Sequence, residues 1–200
     1  MSVDKYAQII LAAKVAFEDK GYRVSMADIA RRAGVAKQTL YNYFDNKEAL
    51  FAAVIVDCGA EAHAILDDVT LALPDKLAAF AQAFRRVSMS VQGVAGYRAM
   101  TAEAHQFPDL AMSFYHQGVG FLHQHTQRWL ADMHATGQLH CPDTALAADM
   151  LFSMLTGFER SRLLLGVAKA DDGDASRVLP IVQLFMKAFA PQATLKETQK

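Results

Sequence analysis

Only two cysteines, Cys58 and Cys141, occur in 200 residues. They are too few and too far apart for a disulfide framework or a zinc finger, so both read as reduced structural thiols. Five prolines and eleven glycines mostly punctuate, and neither forms a low-complexity tract. Net charge is −1, which excludes a surface that binds polyanions everywhere. No stretch approaches the ~18 uncharged apolar residues of a membrane span, so no membrane partner is expected. The opening "MSVDKYAQII" lacks the basic start and cleavage site of a signal peptide, and a cytoplasmic location is expected. Alternating strand patterns with hairpin turns are missing, as is any internal repeat. No Ser/His/Asp set, glycine-rich phosphate loop or paired-acid motif stands on a suitable framework. The chain is expected not to be an enzyme and to need no cofactor.

What remains is a helix-forming, rather apolar chain: 52% of residues are hydrophobic and 20% charged. Residues 3–20 carry Tyr6, Ile9, Ile10, Ala13, Ala16 and Phe17 at helical spacing, with Gly21 where a helix ends. Ser25 and Asp28 make a capping-box arrangement before a short helix. Asn46 caps a long helix from Lys47 towards Leu71. Pro74 opens another to about Val91, and one more spans Val94–His105. Pro108 opens a single long run through Trp129 to about His134. Pro142 starts a very apolar helix to about Leu165, Ala175–Phe189 forms the last, and "TLKETQK" frays. The fold class is all-α.

The densest stretch is "ADIARRAGVAKQTLYNYFDNKEALF", residues 27–51. Residues 1–51 hold eight Lys/Arg against six Asp/Glu, a net of +2, and residues 52–200 a net of −3. Ser25 to Phe44 reads as helix, turn, helix. Ile29, Ala30 and Ala33 form one inner face, and Leu40 with Phe44 the other. Gly34 sits at the corner, where positive φ lets two helices cross steeply. Lys37, Gln38 and Tyr41 then point outward near the start of the second helix, with Thr39 and Tyr43 beside them. A cation, an amide and a phenol at that place suit major-groove contact. Lys47 in the first turn of the next helix opposes the macrodipole, a cost that an approaching phosphate offsets.

Residues 9–51, with "GY", "IARRAGV", "TLYNYF" and "NKEALF", resemble the N-terminal DNA-binding domain of the tetracycline-repressor (TetR/AcrR) family. The resemblance implies a three-helix headpiece over 1–51, a larger helical regulatory domain over 52–200 and a homodimer. By motif position it makes Lys37, Gln38 and Tyr41 groove-facing residues and Ser25, Thr39, Tyr43 and Lys47 phosphate contacts. Ala36 stands where the family often has Ser, removing a cap or phosphate contact. Gln38 stands where many members have Gly, adding an amide suited to adenine. "YRAMTAEAHQFPDLAMSFYHQG" resembles the AefR-like regulators of the same family, implying ligand-responsive repression.

The pool for an effector pocket comprises Phe80, Phe84, Met89, Met100, His105, Phe107, Phe114, Phe121, Trp129, Met154 and Phe158. Arg98, Glu103 and His105 could supply its polar groups. Any one aromatic or Met at helical spacing equally fits the core. The seven histidines are scattered: His116 and His123 share a face, His123 and His125 diverge, and His140 has no ligand-spaced partner. No metal site is expected. Leu151, Leu155 and Phe158 form one apolar stripe, and Val178, Val182, Phe185 and Phe189 another. Together they are expected to pair two chains as a four-helix interface, or else to cover the chain's own core. The expectation is a ligand-responsive regulator, most simply a repressor that binds a palindromic double-stranded DNA operator and is released by a small, largely apolar effector. The alternatives are an activator, or a helical small-molecule or metal-binding protein whose headpiece has lost DNA affinity.

Overall fold

A computed structural model describes residues 4–170 and 175–191, which leaves the expected C-terminal fray outside the described residues. Ten α-helices carry the described chain, and no strand occurs among those residues. They are α1 Lys5–Lys20, α2 Met26–Arg32, α3 Lys37–Tyr43, α4 Lys47–Asp67, α5 Leu73–Ser88, α6 Val91–Glu103, α7 Pro108–Gln117, α8 Val119–Ala135, α9 Thr144–Leu164 and α10 Val178–Ala188. Their starts follow local chemistry. Asp4, Ser25, Asn46, Ser90 and Asp143 each accept a backbone N–H of the first turn, satisfying a donor that the helix cannot. Pro74 and Pro108 sit where a missing N–H costs nothing.

Two expectations need correction. The run from Pro108 is not one helix: the backbone turns at Gly118 (φ −108°, ψ −109°), so α7 and α8 pack against each other. Gly118 lies against α4, where a side chain would meet Ile55 and the Phe114 carbonyl. The helix after Pro142 starts at Thr144 and is kinked at Gly157, whose φ of 46° few other residues adopt.

Two large clusters hold the molecule. One is built from α4, α5, α8, α9 and α10 around Leu77, Phe80, Leu130, Leu151 and Phe185. The other is the headpiece core, Ile9, Phe17, Ile29, Leu40, Phe44 and Phe51 among others, and it also takes in Met100 of α6 and Leu110 of α7. Burial therefore runs across the expected division at residue 51. Among the described residues α4 is the one helix long and apolar enough to cross a membrane. Core helices of globular proteins meet the same test, and Asp57 and Glu61 interrupt this one.

The stripes expected to pair two chains lie elsewhere than anticipated. Leu151, Leu155, Val178, Val182 and Phe185 are buried within the chain's own core and have no surface left for a partner, while Phe189 is half-buried against that core. Phe158 alone faces out, 80% exposed. The outward apolar side chains of α9 and α10 are instead Leu146, Met150, Phe158, Leu179 and Leu184.

Candidate nucleic-acid interface

The α2–α3 corner is set by backbone geometry. Gly34 adopts φ 64°, and the Val35 N–H returns to the Ala30 carbonyl at 3.1 Å. Leu40 and Phe44 are buried behind α3, which leaves Lys37, Gln38, Tyr41, Asn42 and Tyr43 on the outer side. Ala36 caps α3 without a side-chain bond, so this seven-residue helix is held by packing rather than by its own start.

An open cleft runs along this side, lined by Ser25, Met26, Ala27, Lys37, Tyr41, Asp45, Asn46 and Lys47. It brings together four of the seven expected contact residues: Ser25, Lys37, Tyr41 and Lys47. Gln38 and Tyr43 lie exposed on neighbouring faces of α3, and Thr39 is half-buried. Ser25 Oγ accepts from the Asp28 N–H and donates to the Asp28 carboxylate, both at 3.1 Å. That bond, with Lys20 and Arg31 nearby, holds the Asp28 carboxyl below its usual range. Tyr43 is braced by Tyr6, with ring centroids 6.3 Å apart.

Several partners were not foreseen. Lys47 Nζ sits 4.2 Å above the Tyr22 ring, which holds the ammonium at the mouth of the cleft. Tyr22 in turn donates to Glu48 at 2.6 Å. Burial first, then Glu48, raise the phenol; the same bond lowers the Glu48 carboxyl. Gln38 Nε2 donates to Asn42 Oδ1 at 3.2 Å, one turn on, so that amide is already oriented. Spacing alone could have suggested the Gln38–Asn42 pair; nothing local marks Tyr22 and Lys47.

The expected effector residues do not converge on one place. Phe80, Phe84 and Trp129 belong to one core cluster, and Met154 packs against that cluster. Met100 and Phe114 pack into the headpiece cluster. Glu103 receives Arg23 of the headpiece at 3.2 Å. His105, Phe107, Phe121 and Phe158 are exposed. The histidines separate as well. His123 meets Asp149 of α9, while His125 turns to α4, with Nε2 2.8 Å from Asp67 and Nδ1 2.7 Å from His63 Nδ1. If His125 Nε2–H donates to Asp67, its bare Nδ1 accepts from His63. No group of three metal-ligand side chains gathers among the described residues.

Burial, then His125, hold His63 below its ordinary value of 6.5. The unfolded chain therefore binds this proton more readily, and the stability tied to the neutral ring is complete above about pH 6.5 and declines as pH falls through it. The melting temperature should drop between pH 7.5 and 5.5, and by less in His63→Asn. An equal drop in both would show that the α4–α8 contact does not titrate.

Residues 9–54 match the model of the family described as bacterial regulatory proteins, tetR family. Residues 75–191 match the AefR-like transcriptional repressor C-terminal domain. Among solved structures, a TetR-family regulator described as putative, from Mesorhizobium loti MAFF303099, is 27% identical over 95% of this chain and 98% of that one, with a TM-score of 0.73. The flavonoid-responsive regulator FrrA is 30% identical over 94% of this chain and 98% of that one, with a TM-score of 0.64. The transcriptional activator FasR of Mycolicibacterium smegmatis is 42% identical over 53 residues, which are 26% of this chain and 24% of that protein. The match thus spans about a quarter of that relative's length.

Proposed function

Because the chain belongs to the TetR family of bacterial regulators, with an AefR-like C-terminal domain, we propose that it is a ligand-responsive repressor that binds a two-fold symmetric DNA operator as a homodimer. The observation that carries this reading is the cleft in which Ser25, Lys37, Tyr41 and Lys47 meet. Lys37, Gln38 and Tyr41 read base edges in the major groove, and Ser25, Thr39, Tyr43 and Lys47 take the flanking phosphates. The repressor description of the matched C-terminal model favours repression over activation.

One headpiece reads few base pairs, and two of them roughly 34 Å apart reach successive major grooves. The outward residues Leu146, Met150, Phe158, Leu179 and Leu184 are the surface for that pairing, in place of the buried stripes. The effector is a small, largely apolar molecule held among the middle helices, a reading that FrrA's response to flavonoids supports. Its effect reaches DNA through α6 and α7. Met100 and Leu110 share the headpiece core, and Glu103 holds Arg23, so a shift of these helices moves the reading helix. The ligand must bind the DNA-incompetent arrangement more tightly, since equal affinity shifts nothing.

The test begins with sheared DNA from the source genome, capture on the protein and sequencing of what is retained. Enrichment of a palindromic site near a promoter supports the reading; none at low salt sinks it. On the recovered site, Lys47→Ala should weaken all sequences alike and lower the salt slope by about one per headpiece. Gln38→Ala and Tyr41→Ala should instead change which bases are preferred. An unchanged salt slope in Lys47→Ala would remove that lysine from the phosphate contacts.

A further inference from the structure

Buried donors without an acceptor are rare in native folds. Among the described residues, Arg85 Nε, Ser88 Oγ, Arg160 Nε and Trp129 Nε1 are buried without a hydrogen-bond partner, and the first three belong to α5 and α9, which pack against each other and against α6. The register of α5 on α9 sets Arg85 beside Glu159 and gathers Met89 with Leu163. Arg85 donates to the Leu155 carbonyl at 2.6 Å and to both Glu159 oxygens at 3.2 Å. Ser88 lies between Arg85 and Met89 on α5, as Arg160 lies between Glu159 and Leu163 on α9. Met89, Val94 and Leu163 close the junction as a small buried cluster. From α6, the Tyr97 ring lies 3.9 Å from the Arg160 guanidinium carbon.

Arg85 is 1% exposed, and its carboxylate, Glu159, is shared with Arg177 at 3.2 Å. Arg160 has no carboxylate partner among the described residues. Burial depresses its guanidinium, and only Tyr97 opposes the shift. Neighbouring Arg98 already serves the carbonyls of Leu163 and Leu164. A neutral molecule such as water would satisfy the Ser88 hydroxyl but leave the cation uncompensated. An oxyanion answers both needs, and an arginine edge matches its geometry.

The geometry points to this junction as the seat of an acidic effector's charged end: a carboxylate or phosphate-type oxyanion accepting from Ser88 Oγ–H, Arg160 Nε–H and Arg85 Nε–H, with an apolar body alongside Met89, Val94 and Tyr97. The assignment rests on the reading of this domain as effector-responsive and sharpens it to an anionic class. It also gives the ligand a handle on the headpiece, because Tyr97 lies one and two turns before Met100 and Glu103 on α6, the residues that touch the headpiece.

Thermal melting of the whole protein, titrated with decanoate, decanamide and inorganic phosphate, tests it. Without ligand, Ser88→Ala should melt no lower than the parent, because it removes an unanswered hydroxyl, and Arg160→Met should melt close to it, because relief of a buried unpaired donor offsets the lost stacking on Tyr97; a purely structural role would lower both. Decanoate should stabilise the parent saturably and decanamide should not. Arg160→Met should weaken decanoate binding about tenfold or more, as loss of a charge-assisted bond implies. Ser88→Ala should weaken it less, and the exposed Arg162→Met not at all. Equal responses in parent and Arg160→Met, or no saturable response to either anion, overturn the assignment. Saturation by phosphate with nothing added by decanoate makes the group an internal counter-ion and overturns it too. Retention on genomic DNA is read in parallel. Saturable decanoate binding that leaves retention unchanged keeps the subsite and refutes the regulatory reading instead.

Discussion

Met150→Asp combined with Leu179→Asp is expected to turn the proposed dimer into a monomer and to lower operator affinity at least ~100-fold, without lowering the melting temperature of the separated chain. Both side chains are exposed, 40% and 61%, so neither change opens a hole in the core. Leu179 is the second residue of α10, where an aspartate suits the helix dipole. In a two-fold interface each carboxylate occurs twice, and burying an unpaired charge costs several kcal/mol. The remaining single headpiece should keep about half the salt slope, since it displaces about half the counterions. Sedimentation and a salt series on the same samples decide the matter. A variant that stays dimeric moves the interface away from this face of α9 and α10.

Gly93→Ala should cost about 3 kcal/mol of stability, the scale of a forced overpacking. The residue sits in the first turn of α6, where an added Cβ would lie 1.9 Å from the Val87 carbonyl oxygen and 3.2 Å from Ser90 Oγ. Backbone atoms cannot step aside as a flexible side chain would, so α6 must lift from the end of α5. The lift also breaks the Ser90 bridge, which accepts from the Gly93 N–H at 2.9 Å and donates to the Val87 carbonyl at 3.0 Å. For a chain of this size the melting temperature should fall by roughly 6–12 °C. Gly96→Ala is the matched control, because nothing lies within 4 Å of its added Cβ. There the better helix former should raise stability by up to about 1 kcal/mol. Two equal losses would mean that helix disruption, not the Val87 contact, is responsible.

The headpiece was legible because its signals are local. Gly34 at a corner, Leu40 and Phe44 four apart, and Ser25 and Asn46 at helix starts all act within a few residues. Other features depend on what arrives from far along the chain. Apolar periodicity in α9 and α10 announced a buried face correctly, but it cannot say whether the chain or a second copy buries it. Helical periodicity also ran on through Gly118, because a single glycine there looks tolerable until Ile55 closes in from α4. Arg85 reads locally as the solvated side of an amphipathic helix. Its burial follows only from the distant Leu155 carbonyl and Glu159. Tyr22 and Lys47, likewise, are joined by folding and not by spacing.

The headpiece core that continues into Met100 and Leu110 bears on building chimeric sensors. Cutting after Phe51 and grafting the first half onto another regulator would divide one hydrophobic unit and strand Arg23 without Glu103. A transplant that carries the matching α6–α7 elbow should keep both its order and its responsiveness. The exchangeable module is thus discontinuous in sequence, made of the opening segment together with a short insert from the middle of the chain.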